Sequence, residues 1–222
     1  MKNPFFDALF NPDAFFGNAA KGSESLRTPA LILLACAVLA AAQGFLVGGP
    51  VARLMEGAMP SAGTIILLAA AIVPLIVTFV VWVLWTGVIY AISLGFKGTG
   101  SFRKLLECTG YGFIPQLIGA IITVAVALVY IPLVAVPQIT PAALQNPEAI
   151  QAATKALMHD PAMAAFTQTA AVVGIVFLLW SANIWIFAAK QARRLSLRDA
   201  AICVFIPVLV YIFYTIYTLS VF

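Results

Sequence analysis

The chain has 222 residues, of which 63% are hydrophobic and only 9% are charged, and its formal net charge at pH 7 is +4. A soluble globular domain carries roughly 25% charged residues, so this composition excludes an ordinary soluble fold. The basic residues fall near the ends of long apolar segments, so the positive charge indicates membrane topology and no nucleic acid is expected as a partner.

Residues 1–29 precede the first long apolar run and form a cytoplasmic amphipathic segment in our prediction. Two dipeptides in it, Asn3-Pro4 and Asn11-Pro12, place a side-chain acceptor before a proline and predict the starts of two short helices. Both helices are rich in phenylalanine, which favours either the membrane interface or packing against the ends of a helix bundle.

The remainder, residues 30–222, is predicted to be one membrane domain. A helix needs about 20 apolar residues to cross the hydrocarbon core. Five stretches meet this length, approximately residues 30–50, 63–95, 110–137, 163–189 and 200–222. They are apolar on every side, unlike the alternating strands of a membrane barrel. The predicted fold is therefore all-α, an integral membrane bundle of five transmembrane helices with further short amphipathic helices in the connection between spans three and four.

The distribution of Lys and Arg predicts the orientation of the bundle. Ten of the twelve lie in the amino-terminal segment, the second connection and the fourth connection, whereas Arg53 and Lys155 lie in the alternate connections. Basic residues concentrate on the cytoplasmic side. We therefore expect a cytoplasmic amino terminus and, after five spans, an outer carboxyl terminus in a cell membrane.

The sequence contains no recognisable catalytic or metal-binding constellation. His159 is the single histidine, and the three cysteines are scattered along predicted helices. Such a set is neither a disulfide framework nor a metal site. We therefore predict a non-enzymatic protein that requires no cofactor.

One candidate polar site lies at the start of the third span. Glu107 follows Arg103 and Lys104 by four and three residues, a spacing at which helical side chains can pair. These residues are predicted to form an interfacial ion pair, or alternatively a proton or substrate site within the membrane.

A second candidate site consists of aromatic and amide residues in the predicted cytoplasmic halves of spans two and four. Its members are Trp82, Trp85, Tyr90, Trp180, Asn183 and Trp185. Trp and Tyr favour the headgroup boundary, and a buried Asn can join helices by hydrogen bonding. The alternatives are a role in the aromatic belt and in packing, or a pocket for a lipid or another ligand.

The chain resembles the Yip (Ypt-interacting protein) domain family of five-span membrane proteins. Three stretches carry the likeness, namely residues 3–16, 98–115 and 180–207. The central stretch contains a glycine-bearing loop, a basic helix start and the family-like motif formed by Gly110, Tyr111 and Pro115.

The resemblance implies the five-helix architecture. Eukaryotic members are tied to Rab-type GTPases and early secretory traffic, but their long acidic-aromatic amino-terminal region is absent here, which puts a GTPase partner in doubt. The expected function is that of a membrane organiser or scaffold that contacts lipids and either further copies of itself or another membrane protein. The alternative is a small channel or transporter, which would use Pro-broken helices and an inner-leaflet cavity lined by Trp82, Trp85 and Asn183.

Overall fold

The computed structural model describes residues 4–56, 59–139 and 146–221, and all regular structure within these ranges is helical. In chain order the α-helices are α1 (Pro4–Phe10), α2 (Pro12–Ala19), α3 (Arg27–Glu56), α4 (Pro60–Gly95), α5 (Phe102–Tyr111), α6 (Ile114–Tyr130), α7 (Pro147–Met158), α8 (Pro161–Arg193) and α9 (Leu197–Val221). A single 3₁₀ turn, Ile131–Leu133, extends α6.

Five of these helices, α3, α4, α6, α8 and α9, are long and apolar enough to span a membrane, which confirms the predicted fold. They form a ring in which α3 contacts α4 and α6, α6 contacts α8, α8 contacts α9, and α9 contacts α4. At one end of the ring, α3 and α9 begin and α4 and α8 finish. We call this the basic end. It carries nine of the eleven Lys and Arg residues in the described part of the chain.

The closest helix pair is α3 with α4, and small residues make this approach possible. Pro74 has no N–H group, so the Ala70 carbonyl has no helical donor four residues later. That carbonyl lies over Gly44, where an added Cβ would be 2.0 Å from the Ala70 oxygen. Gly48 is the next contact, since a Cβ there would be 2.8 Å from the Ala70 Cβ. The Gly44-x-x-x-Gly48 spacing is typical of tightly packed membrane helices.

The predicted third span, residues 110–137, differs from the observed helices. α5 ends at Tyr111, a turn at Gly112 follows, and α6 begins at Ile114 with Pro115 in its first turn. A proline is well placed there, because the first helical N–H groups have no helical partner. The chain therefore changes direction between α5, at the basic end, and α6, which crosses the membrane.

The opposite end of the ring is covered by α7 and the 3₁₀ turn. Leu157 of α7 is fully buried against Met163 and Phe166 at the start of α8. Asp160 caps α8 by accepting hydrogen bonds from the Ala162 and Met163 amides, and it also accepts one from Ala135. α7 is one of the short helices predicted in the connection between spans three and four, and residues 140–145 of that connection lie outside the described residues.

The two amino-terminal helices differ in their packing. α2 packs against α8, and its Phe16 is fully buried, as in the predicted packing against the bundle. By contrast, the side chains of Phe5, Phe6 and Phe10 on α1 are 43–61% exposed. A location of α1 in the membrane interface stays a prediction.

Candidate functional site

Arg193, the last residue of α8, is the most deeply buried charged side chain at the basic end, with 1% of its surface exposed. Its Nε donates to the Ser93 hydroxyl at 2.9 Å, and its two Nη atoms donate to the Gly98 and Gly100 carbonyls. The guanidinium also lies over the Tyr90 ring, with 4.1 Å between Cζ and the ring centroid. We call this group, Tyr90, Ser93, Gly98, Gly100 and Arg193, the Arg193 clamp.

The clamp holds the loop between α4 and α5 against the end of α8. The Thr99 amide donates to the Arg193 carbonyl at 2.9 Å, so main chain and side chain act together. Gly100 has a φ of +111°, and a Cβ there would be 2.3 Å from the Ala192 carbonyl oxygen. Only glycine can adopt this positive φ and also fit this close to the Ala192 carbonyl at little cost.

Lys104 and Glu107 form an ion pair with 2.9 Å between Nζ and the carboxylate, and both side chains are less than 10% exposed. Lys104 also donates to the Gly22 carbonyl at 3.3 Å, which ties α5 to the amino-terminal segment. Arg103, predicted as part of this pair, turns instead to Glu24 at 3.6 Å and is 65% exposed. The predicted ion pair therefore forms between Lys104 and Glu107, and it is buried within the protein.

Asp13 attaches α2 to α8. Its carboxylate accepts hydrogen bonds from Lys190 Nζ at 2.8 and 2.9 Å and from Gln191 Nε2 at 2.7 Å. The hydrogen bond from Lys190, followed by that from Gln191, lowers the pKa of Asp13 below its usual value of 3.8. The ionised carboxylate is thus the form that holds the amino-terminal helices in place.

Two of the predicted tryptophans fasten α5 to the membrane helices. Trp82 Nε1 donates to the Leu106 carbonyl at 3.1 Å, and Trp185 Nε1 donates to the Thr109 carbonyl at 2.9 Å. Between them, the hydroxyls of Thr86 and Thr109 are 2.7 Å apart and share a hydrogen bond. These contacts join α4, α5 and α8 at the basic end.

The family-like motif lies where these helices meet. A Cβ at Gly110 would be 2.5 Å from the Pro29 side chain, and one at Gly112 would be 2.1 Å from Trp185 Nε1. The Tyr111 ring lies against Phe15 at 5.0 Å, so the motif also contacts α2. Gly110 and Gly112 therefore allow α5 to approach its neighbours, and Tyr111 receives the amino-terminal segment.

The six residues of the predicted aromatic site do not line a common pocket. Tyr90 belongs to the Arg193 clamp, and Trp180 packs against Phe10 at 6.1 Å. Asn183 is exposed on α8. Only Trp85 and Trp185, whose ring centroids are 5.2 Å apart, line a cavity.

This cavity has a volume of about 430 Å³ and lies at the centre of the ring, with lining residues from all five membrane helices. Trp85, Trp185 and Phe113 form its wall nearest the basic end. Trp85 Nε1 is enclosed and has no hydrogen-bond partner among the described residues. The Gln116 carboxamide, which also lines the cavity, has none either. A mostly apolar cavity with few polar groups is typical of small-molecule sites.

Several of these positions were missed from the sequence. A polar residue within an apolar helix is a signal for a site in the membrane, and Gln116 provides that signal. Arg193 contributes only to the count of basic residues, because its partners at Ser93, Gly98 and Gly100 lie far away in the chain. Gly44 and Gly48 carry a recognisable small-residue spacing.

The comparisons with known proteins address the whole membrane domain. The model of the Yip1 domain matches residues 6–218. The chain belongs to the Yip1 domain family. An uncharacterized protein of Methanocaldococcus jannaschii is 37% identical over 125 residues, which is 54% of this chain and 86% of that protein. No solved structure matches the chain significantly.

Within the described residues of this Yip1 domain, no group of three His, Cys, Asp or Glu side chains is close enough to hold a metal ion. The three cysteines are buried and free. The buried polar groups of the basic end, in contrast, form two sets of contacts. Lys104 ties α5 to the amino-terminal segment, and Arg193 ties the loop before α5 to the end of α8.

Proposed function

We propose that this Yip1 domain is a non-enzymatic membrane organiser that associates with further copies of itself through α4 and with lipids at its basic end. The middle of α4 carries the proposal. Its most apolar 18-residue window has none of its residues buried within the chain, whereas the corresponding windows of the other membrane helices are 22–33% buried.

The exposed side chains of α4 form a continuous stripe. They recur at intervals of three or four residues, which places them on one face of a helix. The stripe consists of Ile65, Leu68, Ile72, Ile76, Val80 and Leu84. Lipid tails are as apolar as these side chains, so association between helices depends on packing and shape rather than on burial alone. Branched side chains four residues apart form an inclined ridge of the kind that packs into the groove of a second helix.

Cysteine cross-linking in native membranes tests self-association. The natural cysteines are buried, so the wild-type chain provides a background without accessible thiols. We expect Ile72→Cys and Ile76→Cys to form a disulfide-linked dimer on mild oxidation. Val172→Cys on α8 and Val210→Cys on α9 are matched controls, because both positions are more than 60% exposed.

The result that overturns self-association through α4 is cross-linking of the α8 and α9 controls as strongly as of the α4 variants. Absence of any dimer, together with a monomeric mass in native mass spectrometry, also overturns it. A heteromeric complex recovered in the same spectra would replace the second copy with another membrane protein.

The proposed lipid contact rests on the basic end. Exposed Arg103, Arg194 and Arg198 lie there. Juxtamembrane basic groups gain about 1 kcal/mol each near anionic lipids. With the basic end in the cytoplasm, the inner leaflet of a cell membrane supplies these lipids. Retention of anionic over zwitterionic lipids after detergent purification tests the contact, and equal retention of both would contradict it.

A channel or transporter is the second candidate, and the central cavity favours it. The rings of Trp85, Phe113 and Trp185 bound the cavity on the side facing the basic end. The Arg193 clamp and the buried Lys104–Glu107 ion pair lie beyond these rings on the same side. Transport would require these groups to separate. Proteoliposomes that release small solutes or ions faster than empty vesicles would support this function, and equal rates would count against it.

A further inference from the structure

The central cavity and its unpaired polar groups suggest a specific ligand. We infer that the cavity binds one neutral single-chain lipid, whose tail lies among the apolar side chains and whose hydroxyl or carbonyl group hydrogen-bonds to Gln116. The inference is independent of self-association through α4.

The shape of the cavity fits a chain. Its lining on α4 extends from Pro74 to Trp85, which is about 16 Å along the helix at 1.5 Å per residue. Its volume of about 430 Å³ is within the usual range of ligand sites. The residues furthest from the basic end are Pro74, Ala170 and Thr215, so that part of the cavity is largely apolar.

Gln116 is the reason for expecting a polar group on the ligand. Its carboxamide has two donor hydrogens and one acceptor oxygen, and no described side chain or main-chain group pairs with it. Gln116 is half-buried and lines the cavity, where an unpaired amide costs free energy because no bulk water is available within a bilayer. A ligand hydroxyl or carbonyl would remove this cost.

The absence of charged residues among the described lining residues favours a neutral ligand. None of the described residues lining the cavity is charged. An ionised carboxylate or phosphate would enter without a counter-ion, which is expensive in a medium of low dielectric. Long-chain alcohols and neutral carbonyl lipids meet the requirement, whereas the phosphate of a phospholipid does not.

Access is from the membrane. Val77 and Val81 on α4 and Tyr211 on α9 line the cavity and are 42–51% exposed, whereas Leu178 and Trp185 on α8 are less than 10% exposed. The cavity is therefore least covered between α4 and α9. A lipid dissolved in the bilayer would reach it from that side without crossing the basic end.

Tryptophan fluorescence tests the inference, because bromine quenches an indole that it touches and two tryptophans line the cavity. The purified full chain in lipid nanodiscs is titrated with 11-bromoundecan-1-ol, with 1-bromoundecane and with phosphatidylcholine brominated in its acyl chains. We expect saturable quenching by the bromoalcohol at one molecule per chain. The phospholipid should give only the weak quenching that rises linearly with its mole fraction.

A cavity-filling variant separates the site from bulk lipid. An added Cβ at Gly174, which lines the cavity, has nothing within 4 Å, so Gly174→Leu places its side chain in open space. We expect this variant to lose the saturable quenching. Gly87→Leu is the matched control, since a Cβ there also meets nothing within 4 Å and Gly87 does not line the cavity. It should quench like the wild type.

The role of Gln116 has its own readout. Gln116→Leu should weaken binding of the bromoalcohol about three- to tenfold, the usual effect of losing one hydrogen bond, and should leave binding of 1-bromoundecane unchanged. An equal effect on both probes would overturn the assigned hydrogen bond.

If Gly174→Leu is not recovered folded, Ala120→Leu fills the cavity from α6 and takes its place.

Two results overturn the inference as a whole. One is bromoalcohol quenching that never saturates or that is the same in the cavity-filling variant and the wild type. The other is saturable quenching by the brominated phospholipid alone, which would make an inserted phospholipid chain the occupant. Either result can occur while α4 cross-linking remains, so the two proposals fail separately.

Discussion

The guanidinium of Arg193 at the end of α8 lies on the ring of Tyr90 near the end of α4, with 4.1 Å between Cζ and the ring centroid. The same guanidinium donates to Ser93 and to two loop carbonyls. Arginine suits this position because its planar fork can stack on a ring and donate in several directions at once. The contact joins two membrane helices and the loop that leads to α5.

Arg193→Met is expected to lower the free energy of unfolding by about 2–4 kcal/mol. Each hydrogen bond from a charged donor contributes about 1.5–3 kcal/mol, and the loop carbonyls are only partly shielded from water. Arg193→Lys retains the charge and should recover only part of the loss. Thermal unfolding in detergent measures the effect. Arg198→Met, at an exposed position, should change stability by less than about 0.5 kcal/mol.

Gly112→Ala is expected to destabilise the protein by about 1–3 kcal/mol, the usual cost of overpacking. The new Cβ would be 2.1 Å from Trp185 Nε1, so the indole must move away and lose its hydrogen bond to the Thr109 carbonyl. The control is Gly87→Ala, where the Cβ meets nothing within 4 Å and a gain of about 0.5–1 kcal/mol is expected for a helix interior. Equal stability of the two variants would contradict the close contact at Gly112.

Docking of α2 is expected to weaken in acid. A carboxylate whose pKa is lower in the folded protein stabilises the fold while ionised, so the contribution of Asp13 is present above its usual pKa of 3.8 and is lost as the pH falls through the lowered value. Hydrogen exchange of α2, corrected for the intrinsic pH dependence, measures this change. Asp13→Asn should exchange faster at pH 7, and its difference from the wild type should disappear once the pH is below the lowered pKa of Asp13.

The control for this prediction is Asp7→Asn. The Asp7 side chain forms no hydrogen bond or ion pair in the described structure, so the variant should behave like the wild type at every pH. Protection of α2 in Asp13→Asn equal to that in the wild type at pH 7 would show that Phe16 and the other apolar contacts hold α2 without the carboxylate.

The proposed orientation predicts which end of the ring is accessible from outside the cell. Ser25→Cys lies at the basic end and Glu148→Cys lies on α7, and both positions are exposed. A membrane-impermeant maleimide added to intact cells should label Glu148→Cys alone, and lysis should allow labelling of both. Labelling of Ser25→Cys in intact cells would reverse the orientation.

The membrane helices were predictable because their signal is local. Length and apolarity identify a span, and the dipeptides Asn3-Pro4 and Asn11-Pro12 identified the starts of α1 and α2. The break at Gly112 was less visible, because α5 and α6 are nearly continuous in sequence. It is stabilised by contacts of Gly110 with Pro29 and of Gly112 with Trp185, which are distant in the chain.

The candidate sites depended still more on distant contacts. Glu107 follows Arg103 by four residues and Lys104 by three, so either could pair with it. It pairs with Lys104 because Arg103 contacts Glu24 instead. Trp85 and Asn183 were grouped because both lie near the same end of their helices. Their faces differ, however, since Trp85 lines the cavity and Asn183 points to the exterior.

The Arg193 clamp also has a consequence for biogenesis. Ser93 and Arg193 are 100 residues apart, so α4 enters the membrane long before its partner has been synthesised. Until the fourth span has been inserted, the Gly98 and Gly100 carbonyls must remain hydrated and the loop cannot reach its final position. The basic end is thus completed from the carboxyl-terminal half, and a nascent chain that stalls before Arg193 leaves the loop between α4 and α5 without its contacts to α8.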